Sequence, residues 1–282
     1  MKARNIVMTA LGTLALCAQL LAATPAHRST AAASAGYIVQ AHGGASAARA
    51  VRRAGGHITH ELPIINGVSA LLNPAQVAQL RRNTHIDLFA DTSVKTMGGP
   101  IIDQYARVEV GADKLGAQGF FGNGVTVAVL DSGVWYSWNN VKNDMNGNNK
   151  ILAEYDAIAS KVAHAPDDYG HGSHIASIIG SPDISINGEP QGIAPMAKLV
   201  SVKAFDVNGS SSYATVLNGL NWILANRATY NIRVLNLSFG APPQSYYWND
   251  PINQAVMKLW QAGVVVVVSA GNSGPAEQTI NV

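Results

Sequence analysis

Val125-Thr126-Val127-Ala128-Val129-Leu130-Asp131-Ser132-Gly133 is the stretch on which the reading of this chain turns. Its first six residues are apolar or β-branched and carry no charge, the pattern of a strand covered on both faces, and they deliver a carboxylate to a Ser-Gly turn. Similar apolar runs lie at residues 199–204, 234–237 and 264–269, and helical patterns at 173–179, 213–226 and 251–261 fall among them. Alternation of this kind predicts an α/β fold with a doubly wound, mostly parallel sheet, whose chemistry sits on loops at the carboxyl ends of the strands. Asp131 falls at such an end.

Two further segments carry candidate chemistry. Gly170-His171-Gly172-Ser173-His174-Ile175-Ala176-Ser177-Ile178-Ile179 is a Gly-led turn running into an amphipathic helix. A serine hydroxyl is a poor nucleophile until an imidazole takes its proton, and the imidazole needs a carboxylate to fix its tautomer and stabilise its charged form. His171 and Asp131 fit those two parts, although an Asp at a strand end is more often a turn former and a His at a helix start is ambiguous by itself. His174 invites a metal reading, but helical zinc pairs are spaced i, i+4 with a carboxylate close by, and position 175 is Ile; no metal is assigned to this pair. Ala270-Gly271-Asn272-Ser273-Gly274 follows five consecutive valines. The Asn272 amide, exposed on a Gly-rich turn past a buried strand, is suited to donate a hydrogen bond to a developing oxyanion.

Composition bounds the function classes. With 282 residues, 48% of them hydrophobic and 13% charged, the chain is a folded protein large enough for one large domain and a small one. A net charge of +2 and the absence of any Lys/Arg block longer than two residues argue against a nucleic-acid partner. Lys2 and Arg4 precede a mostly apolar segment, residues 6–22, followed by small residues, which reads as a cleaved export signal over residues 1–26. Thr9, Thr13 and Gln19 weaken the competing reading of a retained membrane anchor. The single cysteine, Cys17, lies inside that segment behind Leu16, too large for a lipoprotein box, so the mature protein is expected to be secreted or periplasmic and free of disulfides.

Between signal and strand, residues 36–95 alternate differently. Tyr37-Ile38-Val39-Gln40 is a strand, residues 47–53 an Ala/Arg helix ended by Gly55-Gly56, and residues 57–72 a hairpin turning at Asn66-Gly67. Asn73-Pro74 opens a second helix and Ile86-Asp87-Leu88-Phe89-Ala90 is a last strand. The order β-α-β-β-α-β predicts a small α+β domain. Residues 91–100, with Gly98-Gly99-Pro100, have no periodicity and read as a linker.

Asp131, then His171, then Asn272 is the chain order of subtilisin-like serine proteases, the peptidase S8 family, which this sequence resembles. Gly192-Ile193-Ala194-Pro195 with the segment ending Gly209-Ser210-Ser211, and Val234-Leu235-Asn236-Leu237-Ser238-Phe239-Gly240, resemble two further family segments. Ser173, where the family has Thr after His-Gly, is a mild departure. The resemblance implies a serine endopeptidase with Asp131 as acid, His171 as base and Asn272 as oxyanion donor. It implies that Gly209, Ser210 and Ser211 on one side and Ser238, Phe239 and Gly240 on the other pair with the backbone of a polypeptide substrate. Residues 36–97 then resemble an inhibitor I9-type propeptide that assists folding and inhibits with its tail in the cleft. Residues 103–282 are a partial catalytic domain, and the processing cut falls in or near residues 91–100. The family nucleophile follows in a Gly-Thr-Ser motif, which these 282 residues do not contain. The expectation is that it lies past Val282 and that this chain alone is inactive; the rival is a catalytically dead peptide-binding module. No cofactor is required for the chemistry. Calcium is common in the family, and the Asn-rich run 139–149 offers oxygen ligands, but without spaced carboxylates it reads better as a polar loop, with a structural calcium left open.

Overall fold

The computed structural model describes residues 33–96, 106–186, 188–242 and 244–272. The export signal, residues 97–100 of the expected linker and Ser273 lie outside the described residues. The N-terminal elements are β1 (Ala35–Gln40), α1 (Gly44–Arg53), β2 (His57–Leu62), a 3-10 turn (Pro63–Ile65), β3 (Gly67–Leu72), α2 (Pro74–Arg81) and β4 (Asp87–Ala90). The four strands form an antiparallel sheet in the order β2-β3-β1-β4. Period-2 alternation sends Val39, Val68, Ala70 and Leu72 to one face, where Ala47, Ala48 and Val51 of α1 and Val77 and Leu80 of α2 cover them. Asn66, at φ 56, takes the left-handed position before Gly67, and α2 starts in a reciprocal capping box between Asn73 and Gln76.

There follow β5 (Ser93–Thr96), α3 (Ala106–Glu109), α4 (Ala112–Gly116), β6 (Thr126–Asp131), α5 (Asn139–Lys142), β7 (Ile151–Asp156), β8 (Lys161–Val162), α6 (His171–Gly180), β9 (Lys198–Lys203) and β10 (Ser210–Ser212). The chain continues through α7 (Tyr213–Asn226), β11 (Ile232–Leu237), β12 (Phe239–Gly240), α8 (Pro251–Gln261) and β13 (Val265–Val268). A six-stranded sheet runs β13-β11-β6-β9-β7-β8, parallel throughout except for the short edge strand β8. The strand order turns around β6, so its carboxyl end lies at the switch point of the sheet.

Both faces of this sheet are covered. Ala128 and Leu130 of β6 pack with Val200, Val202, Leu235 and Leu237 under α7 and α8, whereas Val127 and Val129 face Ala176 of α6 and Val141 of α5. Asp131, two residues past Val129, therefore belongs to the α6 face. Ile38, Leu62, Ile64, Ile65 and Val94 join the α7–α8 cluster, so the uncovered face of the N-terminal sheet is buried there.

One expectation needs correction. Residues 93–96 are a strand rather than linker. β7 was not legible as a strand, because its burial is interrupted and Glu154 breaks the apolar run. β13, from the apolar run at residues 264–269, pairs among the described residues only with β11, and Val265 and Val268 are 59% and 61% exposed.

Candidate active site

Asp131 ends β6 with 1% of its surface exposed, and its Oδ1 accepts the Ser132 N–H at 2.8 Å. The same oxygen is 2.7 Å from His171 Nδ1, the hydrogen bond that fixes an imidazole's tautomer and leaves Nε2 as the basic nitrogen. Forty positions separate the two in sequence, and their meeting depends on glycine. A Cβ on Gly172 would overlap the Gly133 carbonyl oxygen, and Gly133, at φ 107, would itself drive a Cβ into the carbonyl of Ala165. The two bare backbones touch, and the start of α6 can lie on the turn after β6.

α6 begins without a cap of its own, because Gly170 at the N-cap has no side chain. Asp167 does that work from three residues upstream, taking the N–H groups of Gly170 at 2.7 Å and Ser173 at 2.8 Å. Burial opposes the charge of Asp167, but hydrogen bonds from Ser173, Gly170 and Ser132 outweigh it and hold its carboxyl below the ordinary carboxylate range. The loop bearing Asp167 is tied to the end of β9 by Lys203, whose Nζ donates to Pro166 O at 2.6 Å and to Asp168 Oδ2 at 2.5 Å. Sequence reasoning missed Asp167; its signal was an acidic residue just ahead of a glycine-led helix start.

Above the strand ends lies a second, three-stranded sheet, β10-β5-β12, antiparallel on both sides of β5. Ser210 and Ser211 pair with Lys95 and Val94, and the Gly209 carbonyl accepts the Thr96 N–H at 3.1 Å. Across the strand, Phe239 and Gly240 pair with Thr96 and Lys95. Ser238 stands one residue before that ladder, its Oγ accepting from Asn236 Nδ2 at 2.8 Å. Val94 is fully buried. Tyr169, two residues before His171, packs so closely on Gly209 that a Cβ there would lie 2.6 Å from its ring.

Asn272 is exposed four residues beyond β13, at the same carboxyl edge of the sheet as Asp131. In the Asn-rich loop, the buried Asp144 carboxylate is taken up by the N–H groups of Asn146 and Asn148 and by Lys198 Nζ at 2.9 Å. Among the described residues no group of three or more His, Cys, Asp or Glu side chains is placed to hold a metal ion. No helix among them is long and apolar enough to cross a membrane.

Residues 122–282 match the family model described as Peptidase_S8, Subtilase family. The chain belongs to the subtilase family. Serine protease AprX of Bacillus subtilis is 36% identical over 164 residues, covering 56% of this chain and 35% of that protein. Subtilisin E of the same organism is 28% identical over 228 residues, 81% of this chain and 55% of that protein. The chain thus spans between a third and just over half of these subtilase relatives. Among solved structures, fervidolysin from Fervidobacterium pennivorans, a keratinolytic enzyme related to subtilisin, superposes with a TM-score of 0.63 at 23% identity, over 88% of this chain and 41% of that one. That likeness is one of fold.

Proposed function

We propose that this subtilase is the precursor of an exported serine endopeptidase, with residues 1–26 as signal, 36–97 as inhibitory propeptide and 103–282 as part of the peptidase domain. The observation that carries the reading is the Asp131–His171 hydrogen bond at the switch point of the sheet. In this reading His171 takes the proton of a serine hydroxyl as that oxygen attacks the scissile carbonyl, then returns it to the leaving amine. Asp131 holds the imidazole by Nδ1 and offsets its transient charge. Asn272 donates to the oxyanion of the tetrahedral intermediate. The nucleophile belongs to a Gly-Thr-Ser segment that the 282 residues do not include.

The ladder around β5 supports the rest of the reading. A substrate strand added between residues 209–211 and 238–240 would gain backbone hydrogen bonds on both edges, so extended polypeptide is favoured whatever its side chains. Ser93–Thr96 occupies that place, as a propeptide tail acting as inhibitor would. Docking of the N-terminal sheet through Ile38, Ile64 and Ile65 onto the α7–α8 face fits a folding assistant that covers apolar surface.

The test is hydrolysis of an unstructured protein by a form extended through the Gly-Thr-Ser segment. Inactivation by a serine-directed acylating reagent is expected. Activity that survives the reagent and disappears with a chelator would replace this reading with metal-assisted hydrolysis. Tight peptide binding without cleavage would make the protein a binding module.

A further inference from the structure

Asp167 does more than start a helix. Its Oδ1 accepts three hydrogen bonds, from Ser132 Oγ–H at 2.7 Å, Tyr169 N–H at 3.1 Å and Gly170 N–H at 2.7 Å. Its Oδ2 accepts two from Ser173, the N–H at 2.8 Å and the Oγ–H at 2.7 Å. The bond to Ser132 reaches outside α6, because Ser132 lies on the other side of the site, in the turn that follows Asp131. Ser132 is fully buried; its hydroxyl donates to Asp167 and accepts the Gly172 N–H at 2.9 Å. Its backbone N–H meanwhile holds Asp131 Oδ1, the oxygen that binds His171. Ser173 Oγ, donating to Asp167, accepts the Trp135 N–H at 2.8 Å, a second tie between α6 and the segment after β6. Every donor to Asp167 lies within two residues of Asp131 or His171 in sequence.

We propose that Asp167 is a positioning residue, which locks the turn carrying Asp131 and the helix start carrying His171 in one register through Ser132. The proposal rests on reading Asp131 and His171 as a catalytic pair. A hydrogen-bonded imidazole and carboxylate need a donor–acceptor distance held within a few tenths of an ångström, and two separate backbone segments hold it only if something other than the pair joins them. A carboxylate suits this place because it only accepts hydrogen bonds, and all five groups that face it are donors.

The test is the Nδ1 proton of His171 in the full chain labelled with 15N-histidine. A proton shared between imidazole and carboxylate resonates far downfield, and its exchange with solvent reports how firmly the pair is held. In D167A and in S132A that resonance should broaden or shift and exchange at least about tenfold faster, since the loss of a single buried hydrogen bond would have about that effect and each variant loses more than one, and the titration midpoint of the imidazole should move. D167N, which keeps one carbonyl acceptor, should fall between wild type and D167A. If D167A does not fold, D167N and S132A decide together: S132A removes the link to Asp167 along with the bond accepted from Gly172 N–H and leaves the Gly170 and Ser173 contacts of Asp167 in place, whereas D167N alters the Asp167 side alone. A wild-type resonance and midpoint in folded S132A would reduce Asp167 to a helix cap and overturn the proposal. A wild-type protein without the downfield resonance, indifferent to D131N, would instead remove the Asp131–His171 pair on which it stands.

Discussion

Gly172 meets Gly133 backbone to backbone beneath the Asp131–His171 hydrogen bond, with no room for a side chain on either. One methyl group at position 172 would have to push α6 off the end of β6. G172A is therefore expected to lengthen or break the pair and to lower stability by about 3 kcal/mol, the upper range for overpacking against rigid backbone. Thermal unfolding monitored with the His171 Nδ1 resonance checks both parts. A variant that melts like wild type and keeps the resonance would contradict the argument.

On the proposed reading of the N-terminal segment as an inhibitor, Val94 is central to its binding. Its side chain is fully buried while its backbone pairs with Ser211. Residues 36–97, produced separately and added to an active relative, should inhibit it. V94D should weaken that inhibition at least 10-fold, because burying a valine contributes about 1.5 kcal/mol or more and a buried unpaired carboxylate adds a further penalty. Deleting residues 91–97 should remove most of the inhibition, and an inhibition constant unchanged by either alteration would rule out this mode.

In a form extended to supply the nucleophile, the two polar partners should fail differently. D131N leaves shape intact but offers an amide to Nδ1, and is expected to lower kcat by about 10⁴-fold through the wrong tautomer. N272A should cost about 10² to 10³-fold in kcat with little change in KM, a magnitude taken from subtilisin's own oxyanion asparagine. Steady-state kinetics separate the two. A loss in N272A confined to KM would make Asn272 a substrate contact.

Lys150 gives a pH dependence. It is fully buried, with Nζ donating to the carbonyl oxygens of Gly180, at the end of α6, and of Asn140. Burial lowers its pKa from 10.5 to about 8. Between about 8 and 10 the unfolded chain holds this proton more than the folded one does, so the Lys150 contribution to stability rises with pH across that window. Above 10 the raised pKa of the buried Tyr213, which donates to Asp250, acts in the opposite direction. K150M should flatten the rise in melting temperature between pH 8 and 10; an identical slope in both proteins would count against a buried, titrating Lys150.

Much of the molecule was legible because its signals are local. The apolar runs that became β6, β9 and β11 show their two-sided burial in composition, and α7 and α8 begin where Ser212 and Asp250 supply side-chain caps. The acid, the base and the oxyanion candidate could be named from their settings at a strand end, a helix start and a glycine turn. What waited for the tertiary structure depends on partners far along the chain. Ser93–Thr96 has no strand signature of its own; it is a strand because residues more than a hundred positions away present two open edges to its backbone. β7, with Glu154 in its middle, is a strand because β9 pairs with it. Asp167 has no local signature beyond a carboxylate ahead of a helix start; its bond to Ser132, thirty-five positions upstream, exists only in the folded chain. Periodicity and capping are written in neighbouring residues, whereas a hydrogen bond between distant segments is set only when the packed sheet decides which backbones meet.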